Sequence, residues 1–315
     1  VTLGLKGISI FERSVDLRSL NVQSPAVNII IYPDGTNNFP GPDEGTRKLW
    51  SDQLLNLKIG AYDIAGGVLT YNNRKVPFEA HGENLRVNMD YDAAGPAYRG
   101  EFSSDAVNIA PLGYGPMPAT VETKFVLGRD RVEFSGARVK WGANTAEVEG
   151  VLEDMRAPHG SLKVKAEGRV GDVVREFRLP FEPAGTANFN GTLDVSFDEG
   201  FDYRVRGALA ARGLRVKRGD TVIDNADVRA TVDASDAGAI LRNVTAHAMG
   251  ATVTGDAEFT EWKKFHYKGN VANLNLRRAV ALASARPVPW DGVMSGTVET
   301  SFTSGRSDLK TSAQF

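Results

Sequence analysis

The sequence predicts an all-β protein built mainly from antiparallel strands. Three observations carry that prediction. Apolar and polar residues alternate with a period of two through most of the chain, which places apolar side chains on one face of each strand. Short turns rich in Gly, Asn and Asp separate the alternating runs, so consecutive strands follow one another as in a meander. Only two short stretches have helical spacing.

The alternation is clearest between Gly191 and Phe259. Leu193, Val195 and Phe197 alternate with Thr192, Asp194 and Ser196. After a turn at Asp198-Glu199-Gly200 come Phe201, Tyr203 and Val205, and later Leu214 and Val216. Ala226, Val228, Ala230 and Val232 alternate with Asp227, Arg229 and Thr231, and Val253, Ala257 and Phe259 with Thr254, Asp256 and Glu258. This is the signature of a sheet with one wet face and one apolar face.

In chain order, strands are expected over Leu3–Ile10, Ser14–Val22 and Val27–Tyr32, with a turn at Pro33–Asn38. Gly45 to Ile59 reads as a helix that Thr46 caps, with Leu49, Trp50, Leu54 and Leu55 on one stripe and Leu57 fitting less well. Such a helix plugs one end of a sheet or touches a membrane surface, though one short helix with few basic residues binds lipid weakly. Strands resume at Gly67. Leu85, Val87 and Met89 share a face, then Val121, Phe125 and Leu127, then Val132 and Phe134, then Ala137, Val139 and Trp141. Residues 112–118 form a loop, and Leu162, Val164 and Ala166 oppose Lys163, Lys165 and Glu167. Pro180 and Pro183 mark a boundary or an edge strand. Three portions follow: 1–45 as N-terminal strands, 46–183 opened by the first helix, and 184–315 with a second helix near 275–284. Pro287 and Pro289 stop that helix, and a strand restarts toward Val298 and Phe302.

The chain has 315 residues, of which 42% are hydrophobic and 24% charged, as in folded proteins. It starts at Val1 and reads as a fragment or a processed product. A net charge of −2 offers nothing to a nucleic acid. With no Cys there is neither disulfide nor thiolate chemistry, which suits a bacterial periplasm or cytoplasm. The longest aliphatic run, near Val27–Tyr32, is far shorter than the roughly 20 residues that span a bilayer.

No motif points to catalysis. His81, His159, His247 and His266 lack metal-ligand spacing. Ser135-Gly136 lacks the preceding Gly of a nucleophile elbow. Asp198, Asp202, Asp233 and Asp236 lack EF-hand spacing and read as turn residues. No cofactor, metal or catalytic residue is expected, and the chain does not read as an enzyme.

Two segments carry a family resemblance. Val15-Asp16-Leu17-Arg18-Ser19-Leu20-Asn21-Val22 is followed by Ser24-Pro25-Ala26-Val27-Asn28-Ile29 and a closing Asp34-Gly35-x-x-Asn38. Asn273-Leu274-Asn275-Leu276 opens a brief helix, then prolines, then Gly292-x-x-x-Gly296-x-Val298. Together these resemble the periplasmic region of TamB-like and AsmA-like bacterial envelope proteins (the translocation and assembly module family) over about residues 3–40 and 270–302. The resemblance implies an elongated sheet curled into an open hydrophobic groove. It also implies an inner-membrane anchoring helix before residue 1, and an outer-membrane barrel partner reached through a region beyond residue 315.

The greasy face then has two readings. It packs on a second sheet in a sandwich, as in an adhesin or carbohydrate-binding module, or it stays open to a guest. The resemblance favours an open groove, and phospholipid acyl chains as its partner. About 18 strands stacked about 4.8 Å apart make a groove of roughly 85 Å, against a radius of gyration near 20 Å for a compact globule of this length. Expected groove-lining residues are Leu85, Val87, Val121, Phe125, Val139, Trp141, Leu162, Val164, Leu193, Val195, Phe197, Val205, Val228, Val232, Val253, Phe259, Val298 and Phe302. The expected function is a periplasmic conduit that shields acyl chains between the two membranes. The alternative is an assembly factor for outer-membrane β-barrel proteins such as autotransporters, with a sheet edge as template.

Overall fold

The structure is a computed structural model, and it describes residues 2–9, 14–33, 38, 50–74, 78–111, 117–155, 157–172, 184–197, 201–218, 221–283, 291–303 and 310–314. The fold is all-β, and the sheet is open rather than closed on itself. The chain divides into two compact units. Unit 1 comprises Val1–Lys163 with Asp194–Phe201, and unit 2 comprises Val164–Leu193 with Asp202–Phe315. The expected boundary prolines Pro180 and Pro183, the turn at 198–200, most of the 112–118 loop and the capping Thr46 lie outside the described residues.

Unit 1 opens with β1 (Thr2–Ser9) paired antiparallel to β2 (Ser14–Gln23). β2 and β3 (Ala26–Ile31) then pair in succession along one side of β4 (Ala61–Asn73), and both pairings are parallel. Alternation does not reveal strand direction, so this departure from an antiparallel meander was not legible. The break between β2 and β3 falls at Ser24-Pro25, where Pro25 has no N–H to give the ladder. Ser24 takes φ 49°, and the ladder is bridged by Ser24 N–H to the Ala65 carbonyl (2.7 Å) and Val68 N–H to the Pro25 carbonyl (2.8 Å). At the outer edge of β3, the Asn38 side chain accepts from Ile30 N–H and donates to the Asn28 carbonyl, both at 2.7 Å. From β4 onward the sheet is an antiparallel meander through β5 (Phe78–Asp92), β6 (Ala97–Pro111), β7 (Met117–Leu127), β8 (Arg131–Trp141) and β9 (Asn144–Glu153). β10 (His159–Arg169) and β11 (Ala184–Ser196) are divided between the two units.

Unit 2 contains an antiparallel meander of its own: β12 (Asp202–Arg218), β13 (Thr221–Ser235), β14 (Gly238–Ala248), β15 (Ala251–Thr260), β16 (Lys264–Asn275), β17 (Val293–Thr303) and β18 (Lys310–Gln314). Each strand pairs antiparallel with the next.

One device recurs in both units. Gly66, Asn84, Gly136, Gly213, Asn225, Asn243 and Asn273 stand inside strands with φ between 51° and 65°. Each sits where one strand advances three residues while its partner advances two, as at Leu241 and Val244 opposite Ala257 and Gly255. These are β-bulges, and Gly and Asn are the residues that tolerate the left-handed backbone they require. The sequence form is a small or apolar residue, any residue, Asn or Gly, then an apolar residue: Phe134-Ser135-Gly136-Ala137, Leu241-Arg242-Asn243-Val244, Val271-Ala272-Asn273-Leu274. The bulge lets the next apolar residue return to the same face, so Phe134 and Ala137 belong to one strand although their parity differs. A side chain on the following strand takes the bulge N–H in three cases: Asp227 for Gly213 (3.0 Å), Asp256 for Asn243 (2.9 Å) and Ser295 for Asn273 (3.1 Å).

Two helices lie where helical spacing predicted them. α1 spans Trp50–Leu57 and α2 spans Leu276–Ala283. Lys58, at φ 48°, ends α1. α2 starts later than Asn273 because that residue forms the β16 bulge. Asn275 caps the helix, its side-chain oxygen accepting from Arg278 N–H at 3.0 Å.

Among the described residues, a cluster of buried large side chains forms in unit 1, whereas the buried apolar residues of unit 2 are Val271 and alanines such as Ala257. Leu55 and Ile59 pack against Tyr62, Met89, Tyr98 and Leu127, with Leu17, Leu20, Leu54, Val87, Tyr91, Phe125 and Val132 around them. Burying a residue such as Leu55 contributes about 2 kcal/mol. Exposed Leu57 is the residue that fitted the stripe less well.

Candidate apolar binding face

Residues directly opposite in a register share a face, so the pairings define what each unit's apolar side presents. In unit 1 one row runs Tyr62, Met89, Gly100, Phe125, Phe134 and Gly150 across β4 to β9. A neighbouring row joins Ile64, Val87, Phe102 and Thr123. Another joins Val121, Val139 and Ala146. Leu85 shares the face of Val87, and Leu162 lies against Gly150. Trp141 closes β8 beside Asn144, whose side-chain nitrogen donates to the Trp141 carbonyl at 3.1 Å. Phe197, in the returning segment of this unit, packs on Phe201 with ring centroids 5.1 Å apart. Val195 shares that segment.

Unit 2 has a broader surface of the same kind. One row is Val205, Ala234, Ala239, Phe259, Phe265 and Phe302. The next is Gly207, Val232, Leu241, Ala257, Tyr267 and Thr300. A third contains Gly255, Gly269 and Val298, and a fourth Ala211, Val228, Ala246, Val253, Val271 and Gly296. None of these residues is charged, and Thr300 and Tyr267 alone have a polar side-chain atom. The Tyr267 hydroxyl donates to the Thr254 carbonyl at 3.1 Å, laying its ring across Gly269. A side chain on either glycine would strike the backbone of the opposite strand. Burial of Tyr267, with the Asp256 charge second, raises its pKa. Phe265 packs on Phe259 at 4.8 Å and on Phe302 at 5.0 Å, and Trp262 stacks on Phe259 at 6.5 Å. Val164 and Leu193 belong to this unit and are half-buried.

The exposure of these faces is the informative quantity. A sandwich core would bury them. Of the eighteen expected lining residues, Leu162 is buried, Phe197 and Phe302 are 39% exposed, and the rest are half-buried. Half-burial comes from neighbours in the same sheet. Among the described residues, no second sheet covers either face, and α1 is the element that lies on the face of unit 1. Val87 and Phe125 lean on the core that α1 covers, whereas Val121 and Val139 stand clear of it. The expected lining set left out Phe102, Leu241, Phe265, Tyr267 and the buried Val271, and also Phe134, which the alternation had already placed with Val132. Their own alternation is the signal for them, once the bulge residues are recognised and parity is reset after each.

The opposite faces are polar and charge-paired. Lys124 meets Glu101 at 3.3 Å, Arg138 meets Glu147 at 3.2 Å and Arg204 meets Asp233 through two bonds of 2.8 and 2.7 Å. His266 lies 2.9 Å from Glu299. The Arg204 hydrogen bonds hold the Asp233 carboxyl below the usual range, and the His266 hydrogen bond does the same for Glu299. Asp92 is lowered first by the Ala94 N–H. Exposed pairs of this kind contribute little to stability but keep charge on the outer side. Among the described residues, no group of His or acidic side chains is arranged to hold a metal ion. No helix there is long and apolar enough to cross a membrane.

What this arrangement can do chemically is bind hydrocarbon. It offers width, no charge and no unpaired directional group along four rows in unit 2. No protein-family model, curated protein or solved structure matches this chain.

Proposed function

We propose that the chain shields lipid acyl chains on the apolar faces of its two units, as part of a periplasmic conduit between inner and outer membranes. One observation supports this reading above the others: most of the alternating Val, Leu and Phe side chains expected on these faces remain half-buried or exposed, with no second sheet on them among the described residues. Monomeric proteins rarely leave large apolar areas to water unless something binds there. A phospholipid with two chains has roughly 30 methylenes, and exposing them costs on the order of 20–25 kcal/mol. A charge-free face removes most of that cost and needs no motif.

The rival reading is an assembly factor that templates client strands on a sheet edge. At the β3 edge the Asn38 side chain already takes the Asn28 carbonyl and the Ile30 N–H, which opposes strand addition there. Native mass spectrometry of the purified chain tests the proposal. Bound phospholipid is expected, reduced several-fold by Val228→Asp and by Val195→Asp and unchanged by Arg229→Ala. Equal loss from inward and outward variants, or cross-linking of those inward positions to polypeptide instead of acyl chains, removes the conduit.

A further inference from the structure

We propose that the aromatic end of the unit 2 face is a headgroup site for a zwitterionic phospholipid: the headgroup and glycerol esters lie at Trp262, and the acyl chains run along the strands over the smaller residues. The inference rests on the acyl-chain reading above and adds the lipid class and its orientation.

The face of unit 2 is graded along its strands. Phe259, Phe265 and Phe302 stand together in the first row, and Trp262 stacks on Phe259 from the β15–β16 turn. The fourth row is Val, Ala and Gly throughout. Phe302 is 39% and Trp262 53% exposed, whereas Val271 in the fourth row is 8% exposed. Burying a charged headgroup is costly, so it belongs at the open aromatic end. Indole rings favour this boundary, with one part apolar and the other wet. From Phe259 to Val253 the strand rises about 20 Å, against about 15 Å for the chains of one bilayer leaflet. The strands are long enough to carry a chain lengthwise.

Trp262 is held on this face by its turn. It takes φ 53°, where a bulky residue is strained, and Glu261 beside it takes φ 54°. Glu261 N–H donates to the Ala237 carbonyl at 2.7 Å, the indole N–H donates to the Ser235 carbonyl at 3.1 Å, and Lys263 N–H closes the turn on the Thr260 carbonyl at 3.1 Å. The first two bonds tie the β15–β16 turn to the β13–β14 turn. The turn itself calls for Gly or Asn. What tryptophan adds is a ring with one side on Phe259 and the other open. A ring projecting from the tip would suit insertion into a bilayer, whereas one lying along the face suits a lipid already carried there.

Charge complementarity gives the lipid class. The four rows carry no charge, and charges begin at these two turns: Asp236 on one, Glu261, Lys263 and Lys264 on the other. Glu261 and Lys264 pair at 3.5 Å. Exposed Lys263 follows Trp262, and exposed Asp236 follows Ser235, which the indole bonds. Lys263 suits a phosphate, and the open ring of Trp262 with Asp236 nearby suits an ammonium group. A zwitterionic headgroup answers both signs, whereas an anionic one leaves Asp236 opposed.

The experiment offers the full chain dioleoyl phosphatidylethanolamine and dioleoyl phosphatidylglycerol together, and native mass spectrometry reads the ratio bound. The unaltered chain is expected to retain the ethanolamine lipid in excess. Trp262→Leu keeps the apolar area, and Asp236→Asn changes only an exposed turn residue. Each is expected to lower the ratio about twofold to fivefold, the effect of one exposed cation–π contact or ion pair, with total lipid retained. A misfolded variant would instead lose both lipids alike. Tryptophan fluorescence then reads orientation, with phosphatidylcholine spin-labelled on the headgroup or at the chain end. The difference between the unaltered chain and Trp262→Leu isolates Trp262, and the headgroup label is expected to quench it more. A ratio unchanged in either variant, or stronger quenching by the chain-end label, overturns the headgroup site and leaves the acyl-chain reading standing. Retention of chain-free glycerophosphoethanolamine as strongly as the lipid overturns it as well. Retention of neither lipid overturns the acyl-chain reading and the headgroup site with it.

Discussion

Ser51 donates its hydroxyl to the carbonyl of Arg129 across 78 residues, at 2.7 Å, and so fastens the start of α1 to the turn between β7 and β8. The contact matters because α1 has only eight residues, too few for a helix to be stable alone in water. Its stability comes from the sheet beneath it. Ser51→Ala is expected to cost about 1 kcal/mol, and Leu55→Ala about 2–4 kcal/mol through the cavity it leaves. Chemical denaturation followed by near-ultraviolet signals of Tyr62 and Tyr98 reads both losses. If Leu55→Ala costs no more than an exposed substitution such as Leu57→Ala, α1 does not depend on this seat.

The bulges make a sharper test, because they rest on backbone conformation alone. Asn243 takes φ 53°, where a β-branched side chain is strained. Asn243→Val is expected to destabilise unit 2 by roughly 2 kcal/mol or more, and Asn243→Gly to be near neutral. Asp256→Ala, which removes the acceptor for the Asn243 N–H, should cost about 1 kcal/mol. Similar stability for the Val and Gly variants in urea melts would show that the left-handed position is not required.

Gly255 and Gly269 face one another in the register of β15 and β16. A Cβ on Gly269 would overlap the Thr254 carbonyl and the Tyr267 hydroxyl. Gly269→Ala should therefore cost roughly 3 kcal/mol, as overpacking against backbone does. Tyr267→Phe frees the hydroxyl contact, yet it leaves the Thr254 carbonyl in place and should rescue little. Full rescue by Phe in the double variant would place the clash on the side chain rather than on the strand.

Asp233 supplies a pH prediction with a definite sign. Its carboxyl is held below the ordinary value of 3.8, first by the Arg204 hydrogen bonds. A lowered folded-state pKa means that the charged form is favoured by folding. The stabilisation is present above the unfolded value and is lost as the pH falls through the lower folded value. Carboxyl resonances should show Asp233 titrating below 3.8 and rising toward it in Arg204→Met. The effect on stability is small because the pair is largely solvated. An unchanged titration in Arg204→Met would assign the shift to something other than this pair.

Much of this protein was legible in its sequence, and the reason is geometric. A period of two needs only the residues of one strand, so Val228, Ala230 and Val232 announce their common face without help from anything distant. The two helices announced themselves through their spacing. What the alternation does not carry is partnership. Whether β2 and β3 run parallel or antiparallel to β4 depends on which strand the chain returns to. That choice is made by packing around α1 and by the break at Ser24-Pro25. Nor does alternation say what covers an apolar face. Met89 and Val121 look alike in the sequence, but the first is sealed beneath Leu55 and Ile59 while the second stands half-open. Burial is a property of neighbours brought together across the sheet. The sequence by itself determined the strands and the faces of their alternating runs, and only the tertiary structure decided where the bulges reset those faces, and which parts of them meet α1 and which meet solvent.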